Sequence, residues 1–279
     1  MVKAHASAPA QRTINRAQIL QGMGLHTGLA VRVRIQGAPP GSGIVFFRSD
    51  RPETPIPATL EAVRDTRRGV TLGDGVTVAT VEHLLSAAAG LGIDNLRVDL
   101  EGPELPALDG SAAGFVRALE EAGIAEQEVP ARVIELGEAV VVLGEGRAVT
   151  RRAEGFRVTY TVDLPPPLGR QVASAEIPSA YRTAIAPART WGFIEEAPAL
   201  LRQGLARGAG PDNVLVIGPD CYLTPPRFPD EPARHKILDL LGDLALLGGR
   251  PRGHVDVTRG GHSLHVALAR EIALRWRER

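Results

Sequence analysis

Val and Ile alternate with Arg over residues 30–35, which predicts a half-buried strand. Residues 43–48 predict a second, more aromatic strand, and Pro39-Pro40-Gly41-Ser42-Gly43 between them a turn. A third strand is expected over 75–79. The pattern then changes: residues 81–89 are apolar and Ala-rich, a buried helix that stops at Gly90 and Gly92. Residues 95–100 return to a strand, with Arg97 and Asp99 outward. Asp109-Gly110-Ser111 caps a helix over 112–122, closed by Gly123. The polar stretch 125–130 ends in Pro and marks a domain boundary.

The second half begins like the first. Strands are expected over 133–143, 155–163, 172–177, 213–217 and 253–258, with Pro165-Pro166-Pro167 a stiff loop. Helices are expected over 197–206, over 233–247 with Pro232 in the first turn, and over 263–275. Both halves run through several strands, a helix, a strand and a helix, with little residue identity between them. The fold class is α+β: two similar domains of layered sheet and helix, residues 11–125 and 130–279, packed together with a site between them.

Composition narrows the function classes. The chain has 279 residues, 44% hydrophobic and 23% charged, as in a globular protein. Lys+Arg and Asp+Glu both number 32, which gives no support for nucleic acid or a polybasic membrane contact. No segment approaches the roughly 20 apolar residues of a membrane span. Residues 1–10 lack an apolar signal region and are expected to be a frayed tail, so the expected location is the cytoplasm. The single Cys221 can form no internal disulfide, in keeping with a reducing compartment.

Chemistry concentrates in a few segments. His235 and Asp239 stand four apart on a predicted helix, and Asp243 lies one turn further on the same face. A metal site explains this stripe; so does a solvated face with an i,i+4 pair. Glu82-His83 falls in the first turn of a helix just after a strand, where catalytic groups are displayed, although a Glu at a helix N-terminus is also favoured by the dipole. His83, His235 and Asp239 would hold one ion and leave a position open, the arrangement of a catalytic metal. Glu82 would be free to move protons. In Arg259-Gly260-Gly261-His262-Ser263, two glycines would let the backbone approach a ligand and His262 would stabilise an oxyanion or protonate an amine; an ordinary Gly turn is the alternative. Arg189-Thr190-Trp191-Gly192-Phe193 joins a hydroxyl to two aromatics, for stacking on a sugar or base or for core packing. The run Gly22-Met23-Gly24-Leu25-His26-Thr27-Gly28 fits neither dinucleotide nor P-loop spacing.

Together these segments, with Thr80-Val81-Glu82-His83-Leu84-Leu85, Ala89-Gly90-Leu91-Gly92-Ile93-Asp94-Asn95, Glu104-Leu105-Pro106-Ala107-Leu108-Asp109-Gly110-Ser111-Ala112, Arg234-His235-Lys236-Ile237-Leu238-Asp239 and Gly261-His262-Ser263-Leu264, occur in the order found in one family. The chain resembles the UDP-3-O-acyl-N-acetylglucosamine deacetylases of lipid A biosynthesis over nearly its whole length. The resemblance implies zinc on His83, His235 and Asp239, with iron(II) equally suited to such donors. It implies Glu82 as general base, His262 as the cation at the oxyanion, Asp243 as the carboxylate orienting it, and Thr190 as a hydroxyl at the tetrahedral oxygen. Lys236 and Arg259 match basic positions on the nucleotide-sugar side, and Trp191 and Phe193 the aromatic substrate face. An insert at about 189–217, with Leu200, Leu201 and Leu205, matches a hydrophobic passage for a fatty-acyl chain. The implied partner is a UDP-linked acylated aminosugar, met by a monomeric enzyme without stable membrane insertion. The implied reaction releases acetate and a free amine, which either Glu82 or His262 would protonate.

Several residues depart from the family pattern. Trp191 stands where Phe is usual, Arg259 where Lys is usual, Pro232 where Phe is usual, and His265-Val266 where Asn and a nearby Lys are usual; Gly208-Ala209-Gly210-Pro211 is also atypical. All fall on the substrate side of the implied site. The rival readings are a zinc amidase for another N-acyl substrate and a binding relative that keeps only the fold.

Overall fold

A computed structural model describes residues 9–165 and 168–277. Residues 1–8 of the expected tail, and Pro166-Pro167 of the expected loop, lie outside the described residues. The first half contains β1 (Ala10–Ile14), β2 (Gln18–Met23), β3 (Ala30–Gly37), β4 (Ile44–Arg48), β5 (Arg51–Pro57), β6 (Val63–Asp65), β7 (Thr71–Asp74), β8 (Val76–Ala79), α1 (Glu82–Leu91), β9 (Leu96–Glu101) and α2 (Ala113–Glu121). The second contains β10 (Ile124–Pro130), β11 (Val133–Glu135), β12 (Ala139–Leu143), β13 (Gly146–Arg151), β14 (Phe156–Asp163), β15 (Arg170–Ile177), β16 (Trp191–Phe193), α3 (Ala197–Arg202), β17 (Leu215–Ile217), α4 (Glu231–Ala245), β18 (Arg250–Thr258) and α5 (His262–Arg277).

The two halves build the same sheet twice. Strand order is β2-β3-β9-β4-β5 in the first and β12-β13-β18-β14-β15 in the second, where β11 also pairs with β18. In each, the middle strand runs antiparallel to one hairpin and parallel to the first strand of the other. Alternation supplies the buried face. Val33 and Ile35 of β3 lie opposite Leu100 and Val98 of β9, all fully buried, while Arg32 and Arg34 point away. In the second sheet Val158 and Tyr160 of β14 sit beside Val255 and Val257 of β18, again all buried.

The helix before each middle strand, α1 or α4, packs on its counterpart, and α4 also lies against β14 and β15. The contact between the two helices is close because Gly242 has no side chain: a Cβ there would run into the Glu82 carbonyl oxygen. At the other end, α1 terminates at Gly92, whose φ of 65° is the left-handed cap that glycine favours. No helix among the described residues is long and apolar enough to cross a membrane.

Three expectations are corrected. The strand expected over 133–143 is two, because β11 joins β18 whereas β12 joins β13, and the chain changes partner around Gly137. The helix expected over 197–206 ends at Arg202, just ahead of Gly204 with φ 78°. Residues 213–217 form only the short β17, which pairs parallel with β16. The polar stretch 125–130, where the sequence places the boundary between the halves, forms most of β10, which pairs antiparallel with β1.

Candidate active site

α1 and α4 carry most of the expected site. The turn into α1 is made by Thr80, whose φ of 57° is unusual for a β-branched residue. Its hydroxyl donates to the buried Glu104 carboxylate at 3.0 Å, which holds the turn. Glu104 also accepts the backbone N–H of His26 and of Thr27, and a Cβ on Gly24 would lie 2.5 Å from it. The Gly-rich run therefore encloses a carboxylate of the protein itself. Immediately after Thr80 and Val81, Glu82 and His83 enter α1 in its first turn.

On α4 the polar stripe is no solvated face: His235 and Asp239 are each 2% exposed and Asp243 is 0% exposed. His235 Nε2 lies 3.3 Å from Asp239 Oδ1, and His83 Nε2 is 3.9 Å from the same oxygen. The donor atoms of the three residues all fall within 4.8 Å of one another. His235 Nδ1 donates to the Ala188 carbonyl at 3.0 Å, so the hydrogen sits on Nδ1 and Nε2 offers its lone pair. Burial, reinforced by His235, brings the His83 pKa down to about 3, so its ring is neutral. Burial likewise lowers that of His235. Burial opposes ionisation of Asp239, but His235, Lys236 and His262 hold its carboxyl well below the usual range. Two neutral imidazoles and a carboxylate, their donor atoms within 4.8 Å of one another, fit a divalent metal.

Glu82 stands beside this cluster. Its Oε2 accepts the Val70 N–H at 3.0 Å, and Oε1 lies 3.8 Å from His262 Nε2. Burial pushes the Glu82 carboxyl up to about 7, against the pull of His262. His262, the first residue of α5, puts Nδ1 2.8 Å from Asp243 Oδ2. Burial works against its cation, but Asp243, then Asp239, outweigh that and raise its pKa to about 9.

A cleft of about 370 Å³ opens onto these groups, walled by Thr190, Trp191, Lys236 and Arg259 among others. Lys236 Nζ donates to Asp239 Oδ2 at 2.8 Å and stands 5.9 Å from the Trp191 ring centre. Arg259 is tied to Asp163 at 2.6 Å. Phe193 does not reach the wall; it packs edge-on against Trp191, centroids 6.0 Å apart. Gly260 serves packing rather than a ligand: a Cβ there would lie 2.6 Å from the Tyr160 hydroxyl. Gly261 alone of the pair faces open space.

Sequence reasoning missed other members. Thr66 and Arg68, from the loop before β7, also line the cleft, and no spacing announced them. The buried Arg189–Glu231 pair, at 2.9 Å, ties the segment before Thr190 to the first turn of α4. His265, expected on the substrate side, is instead fully buried and, with Tyr160, stands behind His262 and Asp243. Two signals were available for them: His265 follows His262 by three residues on one helix, and Tyr160 occupies an inward strand position where its hydroxyl needs a partner.

A buried His₂Asp donor set, with a carboxylate and a charged imidazole facing each other beside it, defines a metal-dependent hydrolase. The family model described as UDP-3-O-acyl N-acetylglycosamine deacetylase (LpxC) matches residues 11–274, and the chain belongs to that family. Among similar proteins, the UDP-3-O-acyl-N-acetylglucosamine deacetylase of Myxococcus xanthus is 44% identical over 94% of this chain and 86% of its own length. That of Thermosynechococcus vestitus is 43% identical over 95% of each chain. That of Nostoc sp. is 41% identical, covering 94% of this chain and 98% of its own.

Proposed function

We propose that this protein hydrolyses the N-acetyl group of a UDP-3-O-acyl-N-acetylglucosamine, giving the free amine and acetate, as a step of lipid A biosynthesis. The observation that carries the reading is the meeting of three buried metal donors with Glu82 on one side and His262 on the other, at the floor of one cleft. His83, His235 and Asp239 would hold zinc. When bound, the metal supplies Lewis acidity, drawing electron density from the amide carbonyl and making water easier to deprotonate.

The protein's own groups do the rest. Glu82 is fixed by the Val70 N–H through one oxygen and takes the water proton with the other. His262, kept cationic by Asp243, faces the developing negative charge on the carbonyl oxygen, and Thr190, on the wall of the same cleft, offers its hydroxyl to that oxygen. The proton on Glu82 then serves the leaving amine. Lys236 and Arg259 bring positive charge to the nucleotide-sugar side, and Trp191, backed by Phe193, offers an aromatic face. The insert from β16 through α3 to β17 takes the acyl chain, with Ile194 and Leu201 exposed along it. We assign residues 11–125 and 130–279 as the two domains, and read the enzyme as a cytoplasmic monomer.

The test is acetate release from the 3-O-acylated substrate beside its unacylated counterpart, with metal analysis of the purified protein. Release should depend on the acyl chain, stop on chelation and return with zinc. Equal turnover of the unacylated sugar would point to a different N-acyl substrate. Full activity restored only by iron(II) would reassign the metal.

A further inference from the structure

His265 and Tyr160 lie outside the cleft wall, and the mechanism above leaves them without a task. Both are fully buried, as is Asp243. Asp243 Oδ2 is approached by two imidazole nitrogens at once, His262 Nδ1 at 2.8 Å and His265 Nδ1 at 2.7 Å. Its other oxygen, Oδ1, has no hydrogen-bond partner among the described residues. Among the described residues the two imidazoles are therefore the hydrogen-bond partners of this buried carboxylate, both on one oxygen. On the far side of His265, Nε2 lies 2.8 Å from the Tyr160 hydroxyl.

The polarity of this chain follows from its ends. An ionised carboxylate only accepts, so His265 Nδ1 donates to Asp243. Burial, partly offset by Asp243, lowers the His265 pKa, so the ring is neutral and Nε2 accepts from the Tyr160 O–H. Each ring nitrogen of His265 is used once, and the two partners belong to different elements, β14 and α4. The same carboxylate thus serves a neutral histidine behind and a charged one in front. The rings of His262 and His265 stand 77° apart, 5.9 Å between centroids. Neither is free to take a metal together with Asp243, because both Nδ1 atoms already donate to Oδ2.

We propose that His265 is a positioning residue for the deacetylation: held by Tyr160, it pins the Asp243 carboxylate from behind and so fixes the direction in which Asp243 aims the His262 imidazole. This role rests on the reading of His262 as the group facing the oxyanion. A carboxylate held by His262 alone could swing about its own side-chain bonds and carry the imidazole with it. Misdirection of a charged donor affects the transition state more than substrate binding.

The experiment compares His265→Leu, His265→Asn and Tyr160→Phe in the zinc-loaded enzyme, following acetate release. Asn places an N–H donor where His265 Nδ1 stands; Leu fills the space and donates nothing. His265→Leu should lower kcat by about tenfold or more with KM within about twofold. His265→Asn should recover most of that loss, and Tyr160→Phe should lower kcat severalfold. In an Asp243→Ala background, His265→Leu should have no further effect, because the residue it acts through is gone. Parent-like kcat in His265→Leu, or an undiminished loss in the Asp243→Ala background, would overturn the role. If His265→Leu does not fold, Tyr160→Phe, which removes one oxygen, decides: unchanged kcat overturns the role. A parent enzyme that releases no acetate would instead overturn the functional reading and this role with it.

Discussion

The first and second halves share a strand order, yet they furnish the cleft differently. α1 offers its chemistry in a single turn, Glu82 and His83, and the rest of the helix is apolar apart from Ser86. α4 spreads His235, Asp239 and Asp243 along successive turns of one face, and α5 opens on His262 where its counterpart α2 opens on Ala113. The shared topology brings α1 and α4 together; in the proposed reading both helices bind the metal, and side chains alone decide which element removes a proton and which holds a charge. The proposed base thus comes from one half and the proposed cation from the other, and they meet at 3.8 Å.

The comparison breaks most severely if the halves do not share one metal. His83→Ala on α1 and His235→Ala or Asp239→Ala on α4 should each reduce metal content and activity together, activity by roughly 10³-fold or more. Stoichiometric metal in all three purified variants would separate the halves. Next in size, Glu82→Ala should retain its metal and lose about 10²-fold or more in rate, as expected for a positioned proton carrier. A variant turning over like the parent would leave the first half with a binding role only.

A smaller effect is read in the pH profile. The rate should need Glu82 ionised and His262 protonated, giving a bell in kcat/KM whose limbs belong to the coupled site. Asp243 helps raise the His262 pKa to about 9. Removing that negative charge favours the neutral ring, so Asp243→Ala should move the alkaline limb to lower pH, by about one unit or more, besides slowing the reaction. Profiles of the parent, Asp243→Ala and His262→Gln at fixed zinc check this; a limb unmoved in both variants would assign the titration to another group. Smallest in its effect on chemistry, Gly242→Ala should force α1 and α4 apart and cost about 1–3 kcal/mol of stability, measured by denaturant unfolding. Unchanged stability would mean the contact between the halves is looser than the Gly242–Glu82 approach implies.

Much of this was legible because the period of the pattern is a local property. The alternation of β3 and the apolar run of α1 can each be read without knowing any partner. β5 was missed because Pro52, Pro55 and Pro57 argue against a strand, and only its place at the sheet edge tolerates them. β13 was missed because Arg147 and Arg151 dilute its apolar signal. In the site, the spacing of His235, Asp239 and Asp243 could be read from one helix; His83 joined them through donor chemistry carried by a second, distant segment, and the family resemblance supported that union. The pairing of Tyr160 with His265, and the presence of Arg68 in the cleft, depend on which strands and loops become neighbours, and that lies outside any single stretch of sequence.

The middle strand of each sheet also sets an order in time. β9 and β18 are the last strands of their sheets to leave the ribosome, yet each lies between two hairpins made earlier. Until it arrives, those hairpins have no shared strand, and the edges facing the gap are open to pairing with another chain. α4 emerges with His235 and Asp239 before β18 exists to complete the sheet beneath it. A nascent chain stopped ahead of Arg250 therefore lacks the strand that joins its second sheet and His262 as well, so architecture and chemistry are completed by the same final segment.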